Sequence, residues 1–283
     1  MKKRNAWISG LCALIEPGLG LAYNGKFILA IHVTLVSWGI QTALLFLGVF
    51  RSFYLVLAVL TATLAFRISM VAVCVNQARQ LAVVSLSRYN RWYIYGLFLA
   101  TSFIFGSALE QSKASLPHRT FYDPTNSMEP AVREGDYLVA DMRFYGSHPL
   151  LPGDVVIFRP PIDTTTVCVK RCVAINGHKV QIRDGILYVN DERFLPSLRT
   201  KRLSPNILGP DFQDRYIRPV GAGNGDQYGP VVVPKGMCFL IGDLRDNSLD
   251  SRYFGFVPNE DVLGKLLYVY WSKDFERIGK DVK

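Results

Sequence analysis

Residues 27–50 run for 24 positions without a formal charge. In a bilayer such a stretch can satisfy its backbone only as a helix, and about 20 apolar residues reach across the hydrocarbon core. Two similar stretches follow. Residues 53–75 carry a single charge, Arg67. Residues 92–109 open on Trp92, Tyr93 and Tyr95, which suit the membrane–water interface. Pairing or snorkelling within a helix bundle accounts for Arg67 more simply than a functional role. The chain begins with Met1-Lys2-Lys3-Arg4 and an apolar run, as a signal peptide would. That run breaks at Glu16-Pro17-Gly18 with no small-x-small site before it, so it reads as retained. Residues 7–23 are expected to form an interfacial or re-entrant segment.

Charge orients the spans. Lys2, Lys3, Arg4 and Lys26 precede the first, and Arg79, Arg88 and Arg91 lie between the second and third with no acid among them. Positive loops stay in the cytoplasm, so three spans put everything after Leu109 outside. A domain order follows: a cytoplasmic or interfacial segment 1–26, a membrane domain 27–109, and an extracytoplasmic domain 110–283. Hydrophobic residues make up 49% of the chain and crowd into its first 110 positions, while the net charge is +9. No Lys/Arg stripe with interleaved aromatics points to nucleic acid. Anionic headgroups beside a basic domain account for the charge.

Beyond a short polar linker at 110–117 the periodicity changes. Short runs alternate or are β-branched at 137–140, 154–158, 167–175, 179–183, 186–189, 231–233, 237–241 and 262–271. Turn residues separate them: Pro152-Gly153-Asp154, Asn176-Gly177, Asp184-Gly185, Asn190-Asp191 and Pro234-Lys235-Gly236. An all-β domain is expected, with a hairpin at Asn176-Gly177. Residues 195–230 hold several prolines and glycines with weak periodicity and read as an irregular insert. Of five cysteines, Cys168 and Cys172 lie roughly 13 Å apart along one strand, too far to bridge each other. Either could pair with Cys238, or all three could stay free. No Cys/His spacing suggests a metal.

Three stretches could carry chemistry. The run 167–175 has Lys170 among small neighbours, Thr166, Cys168, Cys172 and Ala174, with Arg171 on the opposite face. It is either an edge strand with both cations in water or a buried strand whose lysine loses its proton and serves as a base. Pro124-Thr125-Asn126-Ser127-Met128-Glu129-Pro130 is a proline-bounded loop around two hydroxyls. Residues 242–256 pack Asp243, Asp246, Asp250, Arg245 and Arg252 with Asn247, Ser248 and Ser251 into one loop. A histidine-based serine hydrolase lacks support: His118, His148 and His178 stand in no motif, and there is no Gly-x-Ser-x-Gly elbow. A serine with a lysine base remains.

Taken in order, Pro124–Pro130, Pro152-Gly153-Asp154-Val155-Val156, Lys170-Arg171 and Gly242-Asp243 through Asp250-Ser251-Arg252 resemble the signature boxes of type I signal peptidase, over about residues 118–272. The resemblance implies N-terminal transmembrane α-helices plus an all-β catalytic domain of antiparallel sheets. It implies a serine endopeptidase that removes signal peptides from exported preproteins, with no cofactor and no metal, in a bacterial cytoplasmic membrane with its catalytic domain on the periplasmic side. Its partners would be preprotein signal peptides and the lipid bilayer, not nucleic acid. Carried over, Ser127 is the nucleophile and Lys170 the general base. Ser248 aligns the lysine. Thr125 and the Ser127 N–H form the oxyanion hole. Met128, Val132, Cys168 and Val169 shape the pockets for the −1 and −3 side chains, and Arg171, Asp243, Asp250 and Arg252 form supporting ion pairs.

The chain departs from that pattern in an extra membrane span, in the Pro/Gly insert, and at three places in or beside the boxes. Ala174-Ile175-Asn176-Gly177-His178 stands where Gly-Leu-Pro-Gly-Asp is usual, Leu244 replaces an Asn, and Asp123 replaces an apolar residue. These departures leave the catalytic groups in place and bear on pocket shape. Those at Asp123 and at residues 176–178 also motivate one alternative, a conjugation-type maturation peptidase with few substrates. A non-catalytic anchored β module would leave Ser127 and Lys170 unexplained, and a channel or transporter built on the first 110 residues has only one charge in three spans, Arg67, to support it.

Overall fold

The computed structural model describes residues 4–46, 48–81, 91–112, 116–194, 218–223 and 226–283. They form two units, Met1–Leu116 and Pro117–Lys283. Most of the expected insert, including residues 195–217, lies outside the described residues.

The first unit is helical: α1 (Ala6–Ile15), α2 (Pro17–Tyr23), α3 (Phe27–Phe46), α4 (Phe53–Gln80) and α5 (Trp92–Ser112). Helices α3, α4 and α5 are long and apolar enough to cross a membrane. The third span runs past Leu109 to Ser112, so part of the stretch read as a linker is helix. Residues 7–23 form two short helices. Asn5 caps α1 by accepting from the N–H groups of Trp7 and Ile8, and Pro17 opens α2, where its missing N–H costs nothing. At about 1.5 Å per residue neither helix can span a bilayer. They pack instead on the long helices. A Cβ on Gly20 would sit 2.6 Å from Ala13 Cβ and 2.9 Å from Cys74 Sγ, so only glycine permits this approach. Arg67 Nη1 donates to the Leu14 carbonyl at 3.3 Å, which gives the cation in the middle of α4 a partner inside the unit.

The second unit is built on strands β1 (His118–Tyr122), β2 (Tyr137–Asp141), β3 (Val155–Phe158), β4 (Cys168–Ile175), β5 (Lys179–Arg183), β6 (Ile186–Val189), β7 (Glu192–Arg193), β8 (Tyr228–Val232), β9 (Met237–Ile241), β10 (Val257–Pro258) and β11 (Val262–Trp271). A seven-stranded sheet has the order β1-β2-β11-β3-β4-β9-β10, and a four-stranded sheet the order β7-β6-β5-β8. All the pairings are antiparallel. Strand β3 reads Val-Val-Ile-Phe without alternation because both its faces are covered. Val155 and Ile157 pack with Leu138, Leu266 and Val269, whereas Val156 and Phe158 pack with Cys172, Cys238 and Leu240.

One open alternative is decided here and one expectation changes. The lysine strand is not at an edge: β4 lies between β3 and β9, with Lys170 opposite Val156 and Arg171 opposite both Val155 and Ile241. Asn176-Gly177 is a turn but not a hairpin. Both hydrogen-bonding edges of β4 are already occupied, so the turn passes the chain to the other sheet, where β5 pairs with β6 and β8. Gly177 makes that turn with φ of 79°. All five cysteines are unbridged.

Candidate active site

The proline-bounded loop follows β1 and folds back on itself. Asn126 O accepts from Glu129 N at 3.0 Å and Met128 O from Val132 N at 3.0 Å. Met128 and Val132 are fully buried in the core beside Leu266 and Val269. They anchor the loop from below, buried beneath the cleft rather than among the residues that line it. A backbone bond from Leu244 N to Ser127 O, 3.1 Å, ties this loop to the acidic one.

Ser127 is thereby held against the middle of β4. Lys170 Nζ lies 2.7 Å from Ser127 Oγ. Both side chains are buried, Lys170 with 5% of its surface exposed. Burial pushes the Lys170 pKa below the ordinary lysine value of 10.5, against the opposing pull of the Asp250 carboxylate. The amine is thus biased toward its neutral, proton-accepting form. Ser127 N–H has no backbone partner among the described residues, leaving a donor beside the nucleophile.

The other expected residues gather round this pair. Arg171 donates to both oxygens of Asp243 at 2.7 Å, a bidentate pair inside the sheet. Arg252 Nε donates to Asp250 Oδ1 at 2.8 Å and Nη2 to Oδ2 at 2.9 Å. Asp250 also caps the short helix α6 (Ser251–Phe254) and accepts from Gly242 N at 3.1 Å. Ser248 lies in the same cleft, yet its buried Oγ makes no hydrogen bond to Lys170 among the described residues. It stands instead near enough to Asp250 to favour that carboxylate's charge. Thr125 Oγ1 is 3.3 Å from Ser127 Oγ, but it donates to Asp123 Oδ1 at 2.9 Å. That partner was not foreseen; the sequence signal was Asp123 standing where an apolar residue was expected.

The cleft has a volume of about 480 Å³ and runs past Ser127 between Phe121 and Tyr122 on one side and residues 166–169 on the other. Cys168, Val169, Ile157 and Leu249 give it a mostly apolar wall of modest side chains. No group of His, Cys, Asp and Glu side chains among the described residues could hold a metal.

Gly242 is packed into this centre. A Cβ there would overlap Ser248 Oγ and sit 2.7 Å from the Ser127 carbonyl oxygen. Gly242→Ala should therefore displace both loops, costing about 1–3 kcal/mol by overpacking and lowering turnover by about 10–100-fold through misplacement of Ser127. Thermal melts and cleavage rates check the two effects separately.

A hydroxyl hydrogen-bonded to a buried lysine amine, beside a backbone N–H and an apolar cleft, is the apparatus of a serine hydrolase with a lysine base. Comparison with known proteins agrees. The family model described as signal peptidase, peptidase S26, matches residues 98–271. Signal peptidase I of Rickettsia typhi is 31% identical over 190 residues, covering 54% of this chain and 71% of that protein. Signal peptidase I of Rickettsia massiliae is 30% identical over 216 residues, covering 60% and 78%. A crystal structure of a signal peptidase I from Enterococcus faecalis, 29% identical, covers 42% of this chain and 97% of that one with a TM-score of 0.31. The chain belongs to the signal peptidase family, peptidase S26, and is a serine peptidase.

Proposed function

We propose that this protein cleaves signal peptides from preproteins at the outer face of the cytoplasmic membrane, with Ser127 as nucleophile and Lys170 as general base. The observation that carries the residue assignment is the 2.7 Å contact between Lys170 Nζ and Ser127 Oγ in a buried setting. The orientation rests on the arginines between the second and third spans and the lysines before the first.

The substrate enters the cleft as an extended strand. Its −1 carbonyl carbon comes to Ser127 and its small side chains lie against Cys168 and Val169. The neutral Lys170 amine takes the Ser127 proton as Oγ attacks the carbonyl carbon. The carbonyl oxygen becomes an oxyanion and accepts from Ser127 N–H, with the Thr125 hydroxyl the second candidate donor. As the tetrahedral species collapses, the C–N bond breaks and the Lys170 ammonium gives its proton to the leaving amine. An ester between Ser127 and the signal peptide remains. Lys170, neutral again, takes a proton from water as that water attacks the ester, and returns it to Ser127 Oγ on collapse. One peptide bond and one water are consumed, and the enzyme is unchanged. Asp243–Arg171 and Asp250–Arg252 hold the strand and loop that frame the lysine. Ser248 supports Lys170 once substrate has entered.

The base must be unprotonated, so activity is lost as pH falls through the Lys170 pKa and is regained above it. The midpoint should lie below the ordinary lysine value, because burial lowers it. The test is cleavage of a preprotein with Ala at −1 and −3 by the full chain in lipid vesicles, as a function of pH. A midpoint at the ordinary lysine value, or a rate unchanged by Lys170→Ala, would overturn the assignment.

A further inference from the structure

We infer that Asp123 is a positioning residue: its carboxylate holds the single proton of the Thr125 hydroxyl away from the oxyanion site, and neutralising that carboxylate frees the hydroxyl to donate a hydrogen bond to the oxyanion. The inference rests on the Ser127–Lys170 reading and concerns how one of its donors is controlled.

Asp123 is locked in place. Its N–H donates to the Asp136 carbonyl at 3.0 Å, and its own carbonyl accepts from Gly135 N at 2.8 Å. Pro124 follows, which fixes the next φ. Only 6% of the residue is exposed. Oδ1 accepts from Thr125 N and from Thr125 Oγ1, both at 2.9 Å. Oδ2 is buried without a hydrogen-bond partner among the described residues. The carboxylate therefore faces Thr125 at fixed range.

A hydroxyl has one proton and two lone pairs. With Asp123 ionised, a pure acceptor, the Thr125 proton must lie on Oδ1. Thr125 Oγ1 then turns only lone pairs toward Ser127 Oγ, 3.3 Å away. In that state it can accept the Ser127 proton but cannot donate to an oxyanion. Rotating the hydroxyl toward substrate would strip a buried carboxylate of a partner and is disfavoured. Once Asp123 carries a proton, the carboxylic acid can donate to Thr125, whose own proton is free to turn. No atom is transferred to substrate in this step; one proton is bound from solvent, the Asp123–Thr125 hydrogen bond reverses direction, and the Thr125 hydroxyl gains a new acceptor in the substrate oxyanion.

The surroundings allow that change. Lys170 and Cys168 face Asp123 from β4, Asp136 lies in the turn before β2, and Asp163 stands on the rim of the same cleft. Asp136 is committed to Arg277 at 2.7 Å. Burial raises the Asp123 pKa, while the Thr125 N–H and hydroxyl and the Lys170 charge oppose the rise. Lys170 moves downward from its ordinary value, so the two titrations approach each other.

The test uses the full chain in lipid vesicles and compares turnover of the native enzyme with Thr125→Val, taken as a ratio at each pH. The ratio removes the Lys170 limb, which both proteins share. It should be smallest at alkaline pH and grow by about 10–100-fold from there as pH falls, the range expected for an oxyanion donor or somewhat below it. In an Asp123→Asn background, which is nearly isosteric, the ratio should be flat with pH. A ratio independent of pH with Asp123 present, whether near one or uniformly large, overturns the inference. So does a slope that persists in the Asp123→Asn background, where position 123 carries no titrating group. Ser127→Ala in each background is the separate control. Cleavage that survives it would overturn the Ser127–Lys170 reading rather than the role of Asp123.

Discussion

Replacing Lys170 with alanine should leave a folded protein whose turnover is lower by about 10²–10⁴-fold or more, the range for loss of a positioned general base. Ser127→Ala should match it, because the two groups act as one unit and the loss of either stops the same step. Lys170→Arg should be equally inactive despite keeping a cation, since a guanidinium does not give up its proton in proteins. These substitutions need not unfold the domain. Lysine and serine partner each other, and removing an amine biased toward neutrality leaves no stranded ion. Circular dichroism and thermal melts check the fold, and single-turnover cleavage checks the chemistry. Near-native cleavage by Lys170→Arg would show that the buried amine is not the base.

Asp250→Ala should do the opposite, and damage the fold first. Asp250 has no exposed surface and holds Arg252, itself 3% exposed. Removing the carboxylate leaves a guanidinium stranded in the interior, an effect of about 3–5 kcal/mol. The α6 cap and the acceptor for Gly242 N are lost with it. The same pair gives a pH dependence. Burial works against the Asp250 charge, but the Arg252 guanidinium outweighs it and holds the carboxyl below its ordinary 3.8. A depressed carboxyl contributes stability that is complete above the unfolded value and is lost as pH falls through the folded one. Denaturant titrations should therefore show native stability falling below about pH 4, with the Asp250→Ala protein starting lower and falling less. An unchanged midpoint for unfolding would contradict the role given to this pair.

The membrane helices were legible because a charge-free run in lipid has almost no other fold. Most strands were legible from β-branched runs between turn residues, and 137–140, 167–175 and 262–271 fall within a residue or two of β2, β4 and β11. Strand β1 was not recognised, since it lies at the edge of its sheet and is largely half-buried or exposed, which leaves little alternation to read. Two-residue strands such as β10 leave no pattern at all. Strand order is non-local, so nothing in 167–175 could show that β3 and β9 flank it, and two buried neighbours are what make a lysine there costly to charge. The site itself was legible as a set of residue types in order. What local sequence could not convey was direction: Met128 and Val132 point into the core rather than the cleft, and the Thr125 hydroxyl points at Asp123.

Strand β11 has a bearing on when the enzyme can exist. It lies between β2 and β3, pairing Leu266 with Ala140 and Lys265 with Val156, and its Leu266 and Val269 form the floor on which Met128 rests. On the ribosome, Ser127 and Lys170 emerge long before residues 262–271. Until that strand arrives, β2 and β3 have no common neighbour and the serine loop has no floor. Contacts of such sequence separation also form slowly. A nascent chain would thus carry both reacting side chains for much of its synthesis while remaining unable to cut, and proteolytic competence would switch on late, with the closing of the sheet.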